Sequence, residues 1–310
     1  MASTPALQIE AASRPPLSAT LRAAVPDLWA LTKPEVNFLI VIATFTGFYL
    51  GCASNLHPFP FARLFSTLFG TLLVASGTGT LNQYFEHRFD ARMRRTCRRP
   101  VAAGRMSPAT AAWFGIALST VGAAYLLVTV NALTSLLAVL TLTIYLFIYT
   151  PLKRKTPFCT VVGAFPGAMP PLIGWAAASG SVVGSEAWLL YAVLFLWQFP
   201  HFMAIAWMYR EDYARAGYLV LPAKELSTFL GRLTAVPSIL LFTVSLETAA
   251  ETGGGMAEYS ATALLGVGLL LYAARLILLR SRNAARRLLK ATIIYLLLQF
   301  LILVLGKATT

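Results

Sequence analysis

The chain is written in long apolar blocks separated by short polar ones. Apolar runs fall near 36–53, 64–81, 109–128, 132–150, 159–179, 187–206, 230–248, 260–279 and 289–306. A helix needs about twenty such residues to cross a hydrocarbon core. None of the runs breaks into the short alternating segments of a membrane β-barrel. The pattern therefore predicts an all-α polytopic membrane protein with about nine transmembrane helices. Residues 31–310 form one transmembrane domain, and residues 1–30 form a flexible segment ahead of it.

Composition agrees: 57% of residues are hydrophobic and 12% charged, against about 25% charged in a soluble domain. The net charge of +13 is explained by its placement. When successive loops are assigned to alternate sides, all but Arg63 and Lys307 of the 25 lysines and arginines fall on the side of the N-terminus. Basic residues near span ends mark the cytoplasm. The N-terminus and the loops after runs 2, 4, 6 and 8 are thus expected in the cytoplasm, and the C-terminus outside. Nucleic-acid binding is a poor reading, because no soluble basic domain exists to carry it. Cys52, Cys97 and Cys159 match no metal spacing and read as small apolar filler. The first thirty residues lack a signal-type apolar core, so the first span is expected to direct insertion.

Two acidic clusters are set into this basic face. In 82-NQYFEHRFDARMRRTCRRPVAAGR-105, Asn82, Glu86 and Asp90 fall at i, i+4 and i+8. On a helix continuing out of run 2 they line one side, about 6 Å apart per step. Oxygen donors in a row suit a hard divalent cation that keeps some waters and bridges to phosphate. Arg88, Arg92, Arg94, Arg95, Arg98 and Arg99 stand around them as partners for phosphate oxygens. The plainer reading is a solvated loop in which carboxylates pair with arginines that topology already supplies. A second cluster weighs against it. Glu211 and Asp212 follow run 6 in 207-WMYREDYARAGYLVLP-222. From the first apolar run onward, only Glu225 among that side's acids lies outside the two clusters. Facing one another, they would hold a metal–diphosphate between them.

Lys153, Arg154 and Lys155 in 149-YTPLKRKTP-157 offer further cations for a diphosphate, or simply anchor the topology. Pro166, Pro170 and Pro171 with Gly163, Gly167 and Gly174 crowd run 5, which fits tight helix packing or a bent cavity wall equally well. His201 in 197-WQFPHF-202 lies one to two turns from the inner end of run 6. An intramembrane histidine is costly, so it either packs with a partner or serves function.

These motifs carry a resemblance. The stretches 31-LTKPEV-36, 82-NQYFEHRFDARMRRTCRRPVAAGRMSP-108, 145-YLFIYTPLKRKTP-157, 163-GAFPGAMPPLIGWAAASG-180 and 197-WQFPHFMAIAWMYREDYARAGYLVLP-222 resemble, in register, the UbiA-type intramembrane prenyltransferase superfamily. Glu86, the run Met93 to Pro100, and the single-aspartate 212-DYARAG-217 resemble its heme-modifying branch, the protoheme IX farnesyltransferases. His87 and Phe89 depart from the Arg-Asp pair more common in the first motif. The resemblance implies a UbiA-like bundle and a reaction of farnesyl diphosphate with heme B that gives heme O and diphosphate. It implies Mg²⁺ held by Asn82, Glu86, Asp90, Glu211 and Asp212, and diphosphate contacts from Arg94, Arg95, Arg99 and Lys153. It also implies arginines for the heme propionates, with His201 as a candidate iron contact. A downstream heme A synthase would be a partner, and the bacterial plasma membrane, or the mitochondrial inner membrane, the location.

Two rivals remain. A sibling enzyme would prenylate 4-hydroxybenzoate or a chlorophyll-type ring. A transporter would place charge near the midplane on interrupted, repeated helices, whereas here the acids gather at one face.

Overall fold

A computed structural model describes residues 25–53, 58–221 and 226–309. Most of the N-terminal segment expected to be flexible lies outside the described residues, as does Glu225. Among the described residues nine helices are long and apolar enough to span a bilayer. They are α1 (Pro34–Gly51), α2 (Phe61–Asp90), α3 (Pro108–Thr129), α4 (Ala132–Leu152), α5 (Cys159–Ser179), α6 (Ser185–Met208), α7 (Thr228–Glu251), α8 (Met256–Leu279) and α9 (Arg282–Ala308).

Local chemistry sets their ends. Ser107 accepts a hydrogen bond from the Thr110 amide at 3.0 Å, and Pro108 opens α3 where a missing N–H costs nothing. Asn131 starts α4 the same way, accepting from the Thr134 amide at 2.8 Å. Short turns keep α7 against α8 and α8 against α9, and α2 packs along α3 although the longer segment 91–107 joins them. The first and last spans also meet. Lys307 near the end of α9 donates to the Tyr49 and Leu50 carbonyls at 3.2 and 2.7 Å, and to that of Cys52. A cation thereby satisfies the open carbonyls at the C-terminus of α1.

The prolines and glycines of α5 interrupt the helix and pack it tightly. The helix breaks at Ala168, between Cys159–Gly167 and Met169–Ser179. Its second half lies hard against α1, since a Cβ at Gly174 would collide with the Thr44 carbonyl and stand 2.6 Å from the Phe48 amide nitrogen. Outward faces are apolar: Trp113, Val128, Leu264 and Leu278 are each more than 70% exposed, which suits acyl chains and not water.

Candidate active site

The second helix runs past its apolar stretch to Asp90 as one continuous element. This is why Asn82, Glu86 and Asp90 share a side, and all three are buried. Their partners outside the helix come from three other segments. Lys33, immediately before α1, donates to Asn82 Oδ1 at 2.6 Å. Asn82 Nδ2 donates to Glu86 Oε2 at 2.9 Å. Lys153 at the end of α4 reaches Glu86 Oε1 at 2.8 Å and Oε2 at 3.1 Å. Arg99, in the turns that follow α2, pairs with Asp90 Oδ2 at 2.8 Å. The result is a relay of polar contacts from the start of α1, through α2, to the end of α4.

The second acidic cluster joins it. Asp212 lies in the first turn of a short helix, Arg210–Ala216, and is buried. It pairs with Arg215 and accepts a hydrogen bond from the Arg95 amide at 3.3 Å. Apolar contacts hold the two loops together: Met93, Ala216 and Tyr218 form a buried cluster with Phe89, Tyr213 and Val220 packed around it. Burying side chains of this size stabilises by about 1.5–3 kcal/mol each, enough to fix the loops relative to one another. Gly217 ends the short helix at φ 74, a conformation that costs glycine nothing. The chain then turns back, and the Leu219 amide donates to the Lys153 carbonyl at 2.7 Å. All of these groups sit at one end of the bundle.

Lys153 is positioned by an irregularity. Residues Ile144–Tyr149 form a π-helical turn, a feature frequent at functional sites. The Tyr149 ring lies under Lys153 Nζ at 4.6 Å, with Tyr145 at 5.9 Å and Tyr218 at 6.0 Å. Burial alone would pull the Lys153 ammonium down, but Glu86, with Tyr149 and Tyr145, holds its pKa well above the ordinary range. Lys33 behaves oppositely: burial, and after it the Arg99 guanidinium, pull it down to about 7 against the attraction of Glu86. Burial, with Glu86 next, pushes the Tyr218 phenol up. Its hydroxyl is buried without a hydrogen-bond partner of ordinary geometry.

A basic, oxygen-lined site where two helix ends and their loops meet is what a prenyl diphosphate transferase requires, and comparison decides the family. The UbiA prenyltransferase family model matches residues 40–301. The chain belongs to the UbiA prenyltransferase family. It is 43% identical over 288 residues to the protoheme IX farnesyltransferase of Solibacter usitatus (strain Ellin6076), covering 91% of this chain and 98% of that one. Among solved structures, it matches one described under digeranylgeranylglyceryl phosphate synthase with a TM-score of 0.73 at 17% identity, covering 93% of this chain and 100% of the other. A UbiA homologue from Archaeoglobus fulgidus bound to GPP and Mg²⁺ matches with a TM-score of 0.62 at 16% identity, covering 89% and 99% of the two chains. These structural likenesses speak to the UbiA fold.

The UbiA assignment frames how the expected site residues are distributed. Asn82, Glu86 and Lys153 form one chain of contacts, Asp90 pairs with Arg99, and Asp212 accepts from the Arg95 backbone amide, while the Arg95 guanidinium lies exposed over the Tyr209 ring, 5.0 Å from its centre. Arg94 is exposed at the margin of the site. Glu211 is not brought in: its side chain is 76% exposed and lies 3.8 Å from Arg210. One residue before Asp212, it sits about 100° round the helix and faces outward. His201 stands apart on α6, with Nδ1 2.9 Å from Thr292 Oγ1 of α9 and its ring stacked on Trp197.

Among the described residues no three His, Cys, Asp or Glu side chains converge as a ready metal cage. Mg²⁺ does not ask for one, since it binds through one or two carboxylates together with waters and substrate phosphates. The donors here are all hard oxygens. The Tyr218 hydroxyl, buried beside Glu86 without a hydrogen bond of ordinary geometry, adds a further hard oxygen. The residues therefore fit such an ion. Sequence reading missed Lys33 and Tyr218. A lysine just before a first span reads as a topology anchor, yet Lys33 holds a left-handed backbone at φ 55 in front of Pro34, a conformation uncommon for a side-chain-bearing residue and strained ahead of proline. That strain aims its ammonium at Asn82.

Proposed function

We propose that this chain transfers the farnesyl group of farnesyl diphosphate to a vinyl group of heme B, giving heme O and diphosphate. The observation that supports the reading is that Asp90 and Asp212, from sequence-distant segments, both bind the Arg95–Arg99 turn, Asp90 through the Arg99 guanidinium and Asp212 through the Arg95 amide. The name of its Solibacter usitatus relative supports the choice of acceptor. The allylic C–O bond breaks with its electron pair leaving on the diphosphate. The vinyl terminal carbon forms the new C–C bond, and water adds a hydroxyl at the neighbouring carbon with loss of a proton.

Asn82, Glu86, Asp90 and Asp212 would hold Mg²⁺, whose Lewis acidity offsets the charge growing on the leaving group. Lys153 and Arg99 place positive charge beside these carboxylates, and the exposed Arg94 and Arg95 side chains would reach the diphosphate from the margin. The Tyr145, Tyr149 and Tyr218 rings wall off Lys153, keeping bulk water from the reacting carbon. The apolar prenyl tail belongs among the helices. His201, fixed at Nδ1 by Thr292, presents its other nitrogen to the heme iron. We place the protein in the plasma membrane with its N-terminus cytoplasmic, on the distribution of basic residues, and handing heme O to a heme A synthase.

The test is to incubate purified protein with heme B, farnesyl diphosphate and Mg²⁺ and to follow the heavier heme by mass spectrometry, with diphosphate release alongside. Asp90→Asn and Asp212→Asn should each lose at least about 100-fold in rate while still inserting into the membrane. Glu211→Gln should stay within about fivefold of the parent, as an exposed pair contributes little. Sustained turnover by either aspartate variant would overturn the site. Prenylation of 4-hydroxybenzoate and not of heme would overturn the acceptor.

A further inference from the structure

The α8–α9 hairpin carries a second charged feature that the transferase site does not use. Arg275, Arg280, Arg282, Arg286, Arg287 and Lys290 are all exposed, and none forms an ion pair among the described residues. No aspartate or glutamate occurs after Glu258. Beneath this basic cap, a groove of about 370 Å³ runs between α8 and α9, walled by Leu264, Leu265, Leu269 and Ile294, with Arg287 and Lys290 at its rim. A smaller recess of about 130 Å³ continues it past Tyr272 and Arg287 to Arg275, Ser281 and Asn283. Apolar length leads directly into unpaired cations and polar donors.

We propose that this groove is a binding site for one anionic glycerophospholipid, its phosphate at Arg275, Arg287 and Lys290 and one acyl chain between α8 and α9. Guanidinium forks match phosphate oxygens, and basic recesses between membrane helices bind acidic headgroups. Acyl chains gain little by leaving bulk lipid for a protein groove, because both are equally apolar. Affinity therefore resides in the headgroup contacts, and the groove fixes where the lipid lies. A zwitterionic lipid brings its own cation and loses the advantage.

Two variants separate these parts. Arg287→Gln with Lys290→Gln removes charge at exposed positions. Gly268 lines the groove and has open space where a Cβ would stand, with nothing within 4 Å of it, so Gly268→Leu places a side chain in the groove. Native mass spectrometry of the purified full chain titrated with phosphatidylglycerol should show one retained lipid, bound at least about tenfold more weakly by the double variant. Phosphatidylcholine binding should be weak and equal in both. Phosphatidylglycerol with a photoreactive acyl chain should label α8 and α9, and Gly268→Leu should remove that labelling while its thermal unfolding is unchanged. Equal affinity in the double variant, labelling spread evenly over the nine helices, or equal competition by inorganic phosphate would each overturn the proposal.

Discussion

Replacing Lys153 by methionine leaves Glu86 buried with its principal counter-charge gone. The two side chains are 12% and 7% exposed, so water cannot make up the loss. Breaking one side of a buried pair costs about 3–5 kcal/mol. The lower end applies here, because Lys33 stands one residue away in the network through Asn82. With the repulsion of Lys153 removed, Lys33 holds its proton more readily. The expected loss is thus about 3 kcal/mol, or about 6 °C in Tm at roughly 2 °C per kcal/mol for a chain of this size. The assay is thermal unfolding in detergent with a chelator present, followed by near-ultraviolet circular dichroism. Adding Glu86→Gln removes the stranded charge, so the double variant should recover about 4 °C relative to the sum of the singles. Heme O formation should be absent from all three, which separates folding from catalysis. Strictly additive Tm shifts would refute the pair as a buried unit.

Gly174→Ala should lower Tm by about 2–6 °C, since its Cβ has no room against α1 and overpacking costs about 1–3 kcal/mol; Gly268→Ala, in open space, should leave Tm unchanged or slightly raised. The Lys33 pKa lies at about 7 when folded against 10.5 ordinarily. Between these values the unfolded chain binds a proton that the folded chain does not, so this residue makes stability rise with pH across that window. In chelator, Tm measured from pH 7 to 10 should rise less steeply in Lys33→Met than in the parent; parallel curves would show that Lys33 carries no such shift. For His201, Thr292→Val and His201→Ala should each alter the absorption spectrum of bound heme, and an unchanged spectrum in His201→Ala removes the iron contact.

Much of this was legible in the sequence because bilayers impose simple rules. The spans follow from length and apolarity, and the i, i+4, i+8 spacing of Asn82, Glu86 and Asp90 needed only that α2 continue past its apolar run, as it does. What could not be read depends on direction in space. Glu211 and Asp212 are adjacent and alike in chemistry, yet one is buried and the other solvated, since a short helix rotates them apart. The π-helical turn Ile144–Tyr149 that leads into Lys153 is announced by no periodicity. The grip of Lys307 on the end of α1 joins residues at opposite ends of the chain, and only the closed ring of helices brings them together.

The ion pairs also explain why acids and bases are interleaved at the site. Glu86, Asp90 and Asp212 each hold a cation of their own, in Lys153, Arg99 and Arg215. A buried charge left alone would cost several kcal/mol, so the resting site must be neutralised internally. A metal–diphosphate brings both signs at once, and each internal pair can exchange partners: carboxylate oxygens to the metal, ammonium and guanidinium groups to the phosphate. Little net charge is buried by that exchange. A substrate analogue lacking the diphosphate offers no such exchange and should bind no better than its apolar tail allows.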